Sequence, residues 1–160
     1  MKVYHGSTVV IKQPLVAAGR QKLDFGQGVY VTDIRQQAES WAERMQRIRE
    51  EAGIVSVYEL DIEKVKENFR YFKFDYYDNA WLQFIVSNRM GKTDVATYDV
   101  IEGGVANDRV IDTVEAYMAN MMTLETALSE LSRHKPNNQL CIATQKVIDT
   151  CMTYVESYNI

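Results

Sequence analysis

Hydrophobic and polar positions alternate in short runs, recur at three- and four-residue intervals, then alternate again. "KVYHGST" alternates Val3 with His5 and ends in Gly6-Ser7, which predicts a short strand running into a turn. Residues 8 to 23 contain Pro14 and Gly19, offer few apolar anchors and read as a loop, expected to be more mobile than the strands. A strand from Gly28 to Thr32 follows, then a helix from about residue 34. Ile34, Ala38, Trp41, Met45 and Ile48 form that helix's apolar stripe, which places Trp41 in the core, and Asp33 is the expected cap with Gln36 reaching back. "GIVSVYEL" is apolar on both faces, as a buried central strand requires. Ile62, Val65 and Phe69 suit a short helix, and Trp81, Phe84 and Ile85 suit a second, with Asp78 as its cap. "YDVIEGGVAND" reads as a strand broken by Gly103-Gly104 at a bulge or tight bend. Residues 109 to 133 are helical, as two helices broken near Asn120 to Thr123, and Pro136 ends them. "QLCIAT" is a strand, Gln145 to Cys151 a short helix and "TYVESYNI" a last strand. The pattern gives one mixed α+β domain over residues 1 to 160.

Composition narrows the class. A chain of 160 residues with 46% hydrophobic content supports one continuous core. No run approaches the roughly 18 apolar residues of a membrane span, and "MKVYHGSTVV" lacks a secretory apolar run, so a soluble, cytoplasmic protein without a membrane partner is expected. Cys141 and Cys151 form no Cys-x-x-Cys pair and have no histidine near enough in sequence for a zinc set, so they read as buried thiols and no metal is expected. A net charge of −4 argues against non-specific nucleic-acid binding. The local basic cluster of Arg35, Arg44, Arg47 and Arg49 reads as a solvated helix face.

Candidate chemistry is sparse. His5 lies in the first strand beside Gly6 and Ser7, and taken alone it reads as a hydrogen-bonded structural residue. His134 reads as a surface residue at a helix end. A triad built on Ser7 and His5 fails, because side chains two apart on a strand point the same way without facing each other. "GQG" is followed by a strand rather than a helix, so it is no dinucleotide fingerprint, and there is no phosphate-binding Gly-x-x-x-x-Gly-Lys loop.

"YHGS" at 4 to 7 and "FGQGVYVTDIRQQAESWA" at 25 to 42 resemble the first two NAD-binding motifs of the ADP-ribosyltransferase superfamily, in the His-Tyr-Glu branch that includes poly(ADP-ribose) polymerases and diphtheria toxin. The whole chain further resembles a family of small bacterial proteins of unknown function assigned to that superfamily. The resemblance implies split β-sheets with flanking helices around an NAD cleft, with NAD as co-substrate. It implies that His5 bonds the adenosine ribose, that Gly6 offers its backbone to the nicotinamide carboxamide and that Ser7 adds a contact there. Tyr30 stacks on the nicotinamide in this reading, while Phe25, Gly26 and Gly28 form the turn beneath the dinucleotide. Arg20 and Lys22 are expected to meet the pyrophosphate.

The third motif departs from the family pattern. Where the family places a glutamate at the start of a late strand, "PNNQLCIAT" offers Gln139, whose amide accepts from a ribose hydroxyl but brings no charge to a developing cation. Glu102, Glu125 and Glu130 could substitute only if the fold brought one inward. With Leu140 and Ile142 inward, Gln139, Cys141 and Ala143 take the opposite face, expected to be the cleft side. The resemblance thus implies an NAD-dependent mono-ADP-ribosyltransferase, toxin-like or a conflict-system effector, with His5, Tyr30 and Gln139 as catalytic residues. A macromolecular acceptor and a neutralising protein are its expected partners. The alternative is a catalytically weak or inactive NAD-binding or partner-binding domain on the same fold.

Overall fold

The structure is a computed structural model that describes residues 1–92 and 96–160. It is an α+β fold with six α-helices and two sheets among the described residues. The first sheet is antiparallel and runs β1 (Lys2–Ser7), β3 (Ile54–Leu60), β7 (Met152–Asn159). The second runs β2 (Val29–Val31), β6 (Gln139–Ile142), β5 (Val100–Gly103), β4 (Tyr71–Lys73), with only the β4–β5 pair parallel. The central place of β3 agrees with its two apolar faces. β4 was not legible as a strand, because three residues beside a parallel neighbour give no alternation to read.

One core joins the facing surfaces of the two sheets. It includes Val3, Tyr58 and Leu60 from the first sheet, and Val29, Val31, Leu140 and Ile142 from the second. Val65 of α2 (Ile62–Asn68) and Val147 of α6 (Gln145–Cys151) close it. A second core fills the far side of the second sheet, where Cys141, Ile101 and Phe25 meet Trp81, Leu82 and Ile85 of α3 (Asn79–Arg89), Val114 of α4 (Asp108–Met118) and Leu131 of α5 (Leu124–Leu131). Asp78 caps α3 as its position implied, accepting from Trp81 N at 2.9 Å. Cys141 and Cys151 are buried free thiols.

The first helix departs from the sequence expectation. α1 (Arg35–Arg49) turns Ala38 and Ala42 to the sheet, while Trp41 is 43% exposed and Ile34 and Ile48 also face outward. The reason is proximity: a Cβ on Gly6 would stand 2.2 Å from Ala38 O and 2.9 Å from Ala42 N, so only small side chains fit between helix and strand. Asp33 does not cap α1. Thr32 Oγ1 accepts from Ile34 N at 3.0 Å, and the Asp33 carboxylate instead accepts from Asn138 Nδ2 at 2.9 Å.

Residues 8 to 23, expected to be loop, contain one short 3-10 turn at Val16–Ala18. Polar side chains fasten the segment: Tyr58 OH donates to Ile11 O at 2.6 Å, Gln145 holds Val16 N and Pro14 O, and Gln27 donates to Gly19 O. Among the described residues no helix is long and apolar enough to cross a membrane.

Candidate functional site

Among the described residues, the backbones of the two sheets are bridged at one place, between the edge strands β1 and β2. Tyr4 N donates to Thr32 O at 2.8 Å and Thr32 N to Tyr4 O at 3.0 Å, so even-numbered residues of β1 turn their backbone groups toward β2 and odd-numbered ones toward β3. Continued two residues past this bridge, the register sets Gly6 opposite Tyr30. There the ladder stops. Among the described residues, neither Gly6 N–H and C=O nor Tyr30 N–H makes a hydrogen bond across the gap, and Tyr30 O accepts from His5 Nδ1 at 2.7 Å. Buried backbone groups are paired almost without exception, and the N–H and C=O of buried Gly6 are left without a protein partner on this edge.

The Tyr30 carbonyl can only accept, so His5 Nδ1 carries the proton and Nε2 of the neutral ring is an acceptor. No buried side-chain nitrogen or oxygen among the described residues lacks a partner, so Nε2 opens to solvent. Burial pulls the His5 pKa below its ordinary 6.5 despite the opposing bond to Tyr30. The unfolded chain therefore binds this proton first as pH falls. The stability that neutral His5 contributes is complete above about 6.5 and is lost as pH drops through the lower folded value. Denaturation midpoints of wild type and His5→Gln, measured from pH 8 to 5, are expected to converge on the acid side of that window; a constant difference contradicts this.

The glycine turn holds Tyr30 from the other end. Tyr30 OH donates to Gly26 O at 2.7 Å and accepts from Phe25 N at 2.9 Å, and the Phe25 and Tyr30 rings lie nearly parallel with centroids 6.4 Å apart. Burial pushes the phenol far above its ordinary range, so Tyr30 keeps its proton, which it donates to Gly26 O. Gly26 has φ +84, a left-handed conformation that favours glycine, and a Cβ on Gly28 would stand 2.5 Å from Cys141 Sγ. Ser7 Oγ bonds locally to Val9. Arg20 and Lys22 are exposed.

Gln139 is half-buried at the start of β6, where the β2–β6 register, carried one step on, sets it opposite Thr32. His5, Tyr30 and Gln139 thus stand on three neighbouring strands. The expectation that the whole Gln139–Cys141–Ala143 face borders a cleft fails, because Cys141 is fully buried beneath the helices. Two asparagines pin the approach to Gln139. Asn137 Oδ1 accepts from Val105 N at 2.9 Å, and Asn138 Nδ2 donates to Glu102 Oε1 at 3.1 Å as well as to Asp33.

Glu102 was one of three alternative acids, and the fold does bring it inward. It is 6% exposed, bonded by Tyr71 OH, Lys73 Nζ and Asn138 Nδ2. Burial alone would raise its pKa, but these donors outweigh it and hold the carboxylate below its usual range. It lies two strands from β2, about 10 Å at the usual strand spacing. Glu125 and Glu130 lie on α5 at the surface side.

Sequence reasoning missed Asp24. Its carboxylate is 6% exposed, with Arg89 Nε and Nη2 each 2.6 Å from Oδ1 and Ala106 N donating to Oδ2 at 2.6 Å. Burial pushes its pKa up, and Arg89 and the Ala106 N–H offset this only in part. No group of three or more His, Cys, Asp or Glu among the described residues could hold a metal. Two concavities lie away from Gly6: one of about 290 Å³ bounded by Lys12, Tyr58 and Tyr154, and one of about 370 Å³ bounded by Tyr76, Leu128 and His134.

Residues 1–154 match the family described as "Protein of unknown function (DUF3990)". No curated protein and no solved structure matches the chain.

Proposed function

Starting from a chain that belongs to the DUF3990 family, whose description assigns no role, we propose that it is an NAD-dependent mono-ADP-ribosyltransferase acting at the β1–β2 gap. The observation that carries this reading is the open backbone pair of Gly6 beside His5. One N–H and one C=O on a single residue match the acceptor and donor of a primary carboxamide, the group that nicotinamide presents. The Tyr30 ring would hold the planar leaving group, and His5 Nε2 would accept from a ribose hydroxyl. Gln139 would accept from the second ribose as the glycosidic bond weakens. NAD would supply the ADP-ribosyl group and release nicotinamide. The acceptor is a macromolecule, and a toxin-like role with a neutralising partner is part of the same proposal.

A second reading, an NAD-binding or partner-binding domain with chemistry lost or slowed, is favoured by one observation. Position 139 carries an amide, while the inward carboxylate of Glu102 is already engaged by three donors. Nicotinamide release from NAD by the purified protein, compared with His5→Ala, separates the two. Release that falls in the variant supports catalysis; NAD binding without release supports the second reading. Charge reversal of Arg20 and Lys22 together is expected to weaken NAD binding severalfold at low salt by removing two cations from the pyrophosphate's surroundings. An unchanged dissociation constant would return both to the solvated surface.

A further inference from the structure

The segment 104–107 follows β5 and has no part in the proposed reaction, yet side chains fasten it from four sides. Gly104 O accepts from Trp81 Nε1 at 2.7 Å, and Val105 O accepts from Tyr77 OH at 3.1 Å. Val105 N donates to Asn137 at 2.9 Å, and Ala106 N donates to Asp24 at 2.6 Å. The last two bonds join the ends of the candidate site. Asp24 precedes Phe25, whose N–H holds the Tyr30 hydroxyl, and Asn137 stands two residues before Gln139. We infer that Asp24 is a positioning residue that sets Gln139 relative to Tyr30 through the Ala106 N–H and the Val105–Asn137 bond.

The arrangement argues for more than an ion pair. Arg89 alone would neutralise the buried carboxylate, and both of its contacts fall on Oδ1. Oδ2 is committed to a backbone N–H 82 residues away, an acceptor arrangement that a charge pair does not need. Asn88 Nδ2 donates to Asp24 O at 3.2 Å, so the backbone is fixed as well as the carboxylate. The glycine turn, the C-terminal end of α3 and the segment after β5 therefore share one anchor. A site in which Tyr30 and Gln139 come from opposite ends of the chain needs such a link, because displacement of either by about 1 Å costs orders of magnitude in rate.

The catalytic meaning of this link rests on the proposed function; the link itself does not. Its test uses the full chain labelled with ¹⁵N, without NAD, as wild type, Asp24→Asn, Asn137→Ala and Arg89→Lys. Asp24→Asn and Asn137→Ala are each expected to shift the Gln139 side-chain amide signals and to speed exchange of the Ala106 or Val105 N–H about tenfold. The β3 amides should stay in place. Arg89→Lys, which keeps both the charge and the Ala106 acceptor, is expected to leave the Gln139 signals near their wild-type positions. Asn137→Ala removes the Asn137 side-chain bonds to Val105 and leaves Asp24 in place, so it decides the matter if Asp24→Asn fails to fold. Faster exchange at residue 105 or 106 with stationary Gln139 signals would overturn the inference. In the presence of NAD, the same two variants are expected to lower the rate of nicotinamide release at saturation about tenfold while changing NAD affinity less than about threefold. A loss confined to affinity would also overturn it. If wild type neither binds nor cleaves NAD, the proposed function falls, and the spectra still decide whether Asp24 reaches Gln139.

Discussion

Gly6→Ala is expected to destabilise the protein by about 3 kcal/mol, at the upper end of what an extra methyl group costs in a packed interior. The Cβ would stand 2.2 Å from Ala38 O, and that oxygen belongs to the backbone of α1, so no side-chain rotation can relieve the contact. The helix has to move away from β1 as a unit, breaking its close packing through Ala38 and Ala42. Urea unfolding should show a lowered midpoint at an unchanged slope. A midpoint within error of wild type would mean that α1 sits farther from β1 than the structure places it. The same substitution bears on the site only indirectly, because the Gly6 Cα faces α1 while its backbone edge faces β2.

Gln139→Glu is expected to raise nicotinamide release roughly a hundredfold, the rate equivalent of about 3 kcal/mol of charge stabilisation at the half-buried position 139. The substitution keeps the shape of the side chain and adds the one thing the amide lacks, a negative charge beside a developing cation. NAD affinity should change little, because that charge acts mainly as the bond breaks. Gln139→Ala should have the opposite effect on turnover. Single-turnover assays at saturating NAD separate the two quantities. A Gln139→Glu protein that binds NAD and releases nicotinamide no faster than wild type would place the third motif elsewhere.

How much of this could be read from the residues differs from element to element. The β3 run and the Asp78 cap were legible because each signal is local: apolar side chains on both faces of one strand, and a carboxylate three residues before the N–H it accepts from. Ala38 lies on the inner face of α1 as its spacing implied, but Trp41, Ile34 and Ile48 do not, because the distance between helix and strand admits only small side chains. That distance is fixed by Gly6, which lies on another element, so nothing within α1 reveals it. Asp24 was invisible for a related reason. Its partners Arg89 and Ala106 lie 65 and 82 residues away, and a lone acid before a glycine turn has the composition of an ordinary surface turn. The opening of the β1–β2 ladder is legible only in part. "YHGS" marks the strand, but the Tyr4–Thr32 bridge that ends the pairing and leaves Gly6 open is a tertiary fact.

In the proposed reading, the gap accounts for the division of the motif residues between backbone and side-chain roles. Gly6 contributes peptide groups, His5 a ring nitrogen whose tautomer is set by the Tyr30 carbonyl, and Tyr30 a ring whose hydroxyl is spent on the turn. In the proposed reading each is already held by a neighbouring protein group, so little reorganisation would accompany NAD binding.

In the proposed function, the open edge between Gly6 and Tyr30 receives the carboxamide end of NAD. A titration of ¹⁵N-labelled protein with NAD tests it most directly, because the Gly6 and Tyr30 N–H groups both face the gap and neither has a backbone partner across it. A saturable downfield shift of the Gly6 amide is expected, accompanied by movement of the Tyr30 amide and the His5 ring signals, with the same dissociation constant for all three. Saturable shifts confined to the concavity bounded by Lys12, Tyr58 and Tyr154, or no saturable shift at Gly6 at millimolar NAD, would contradict it.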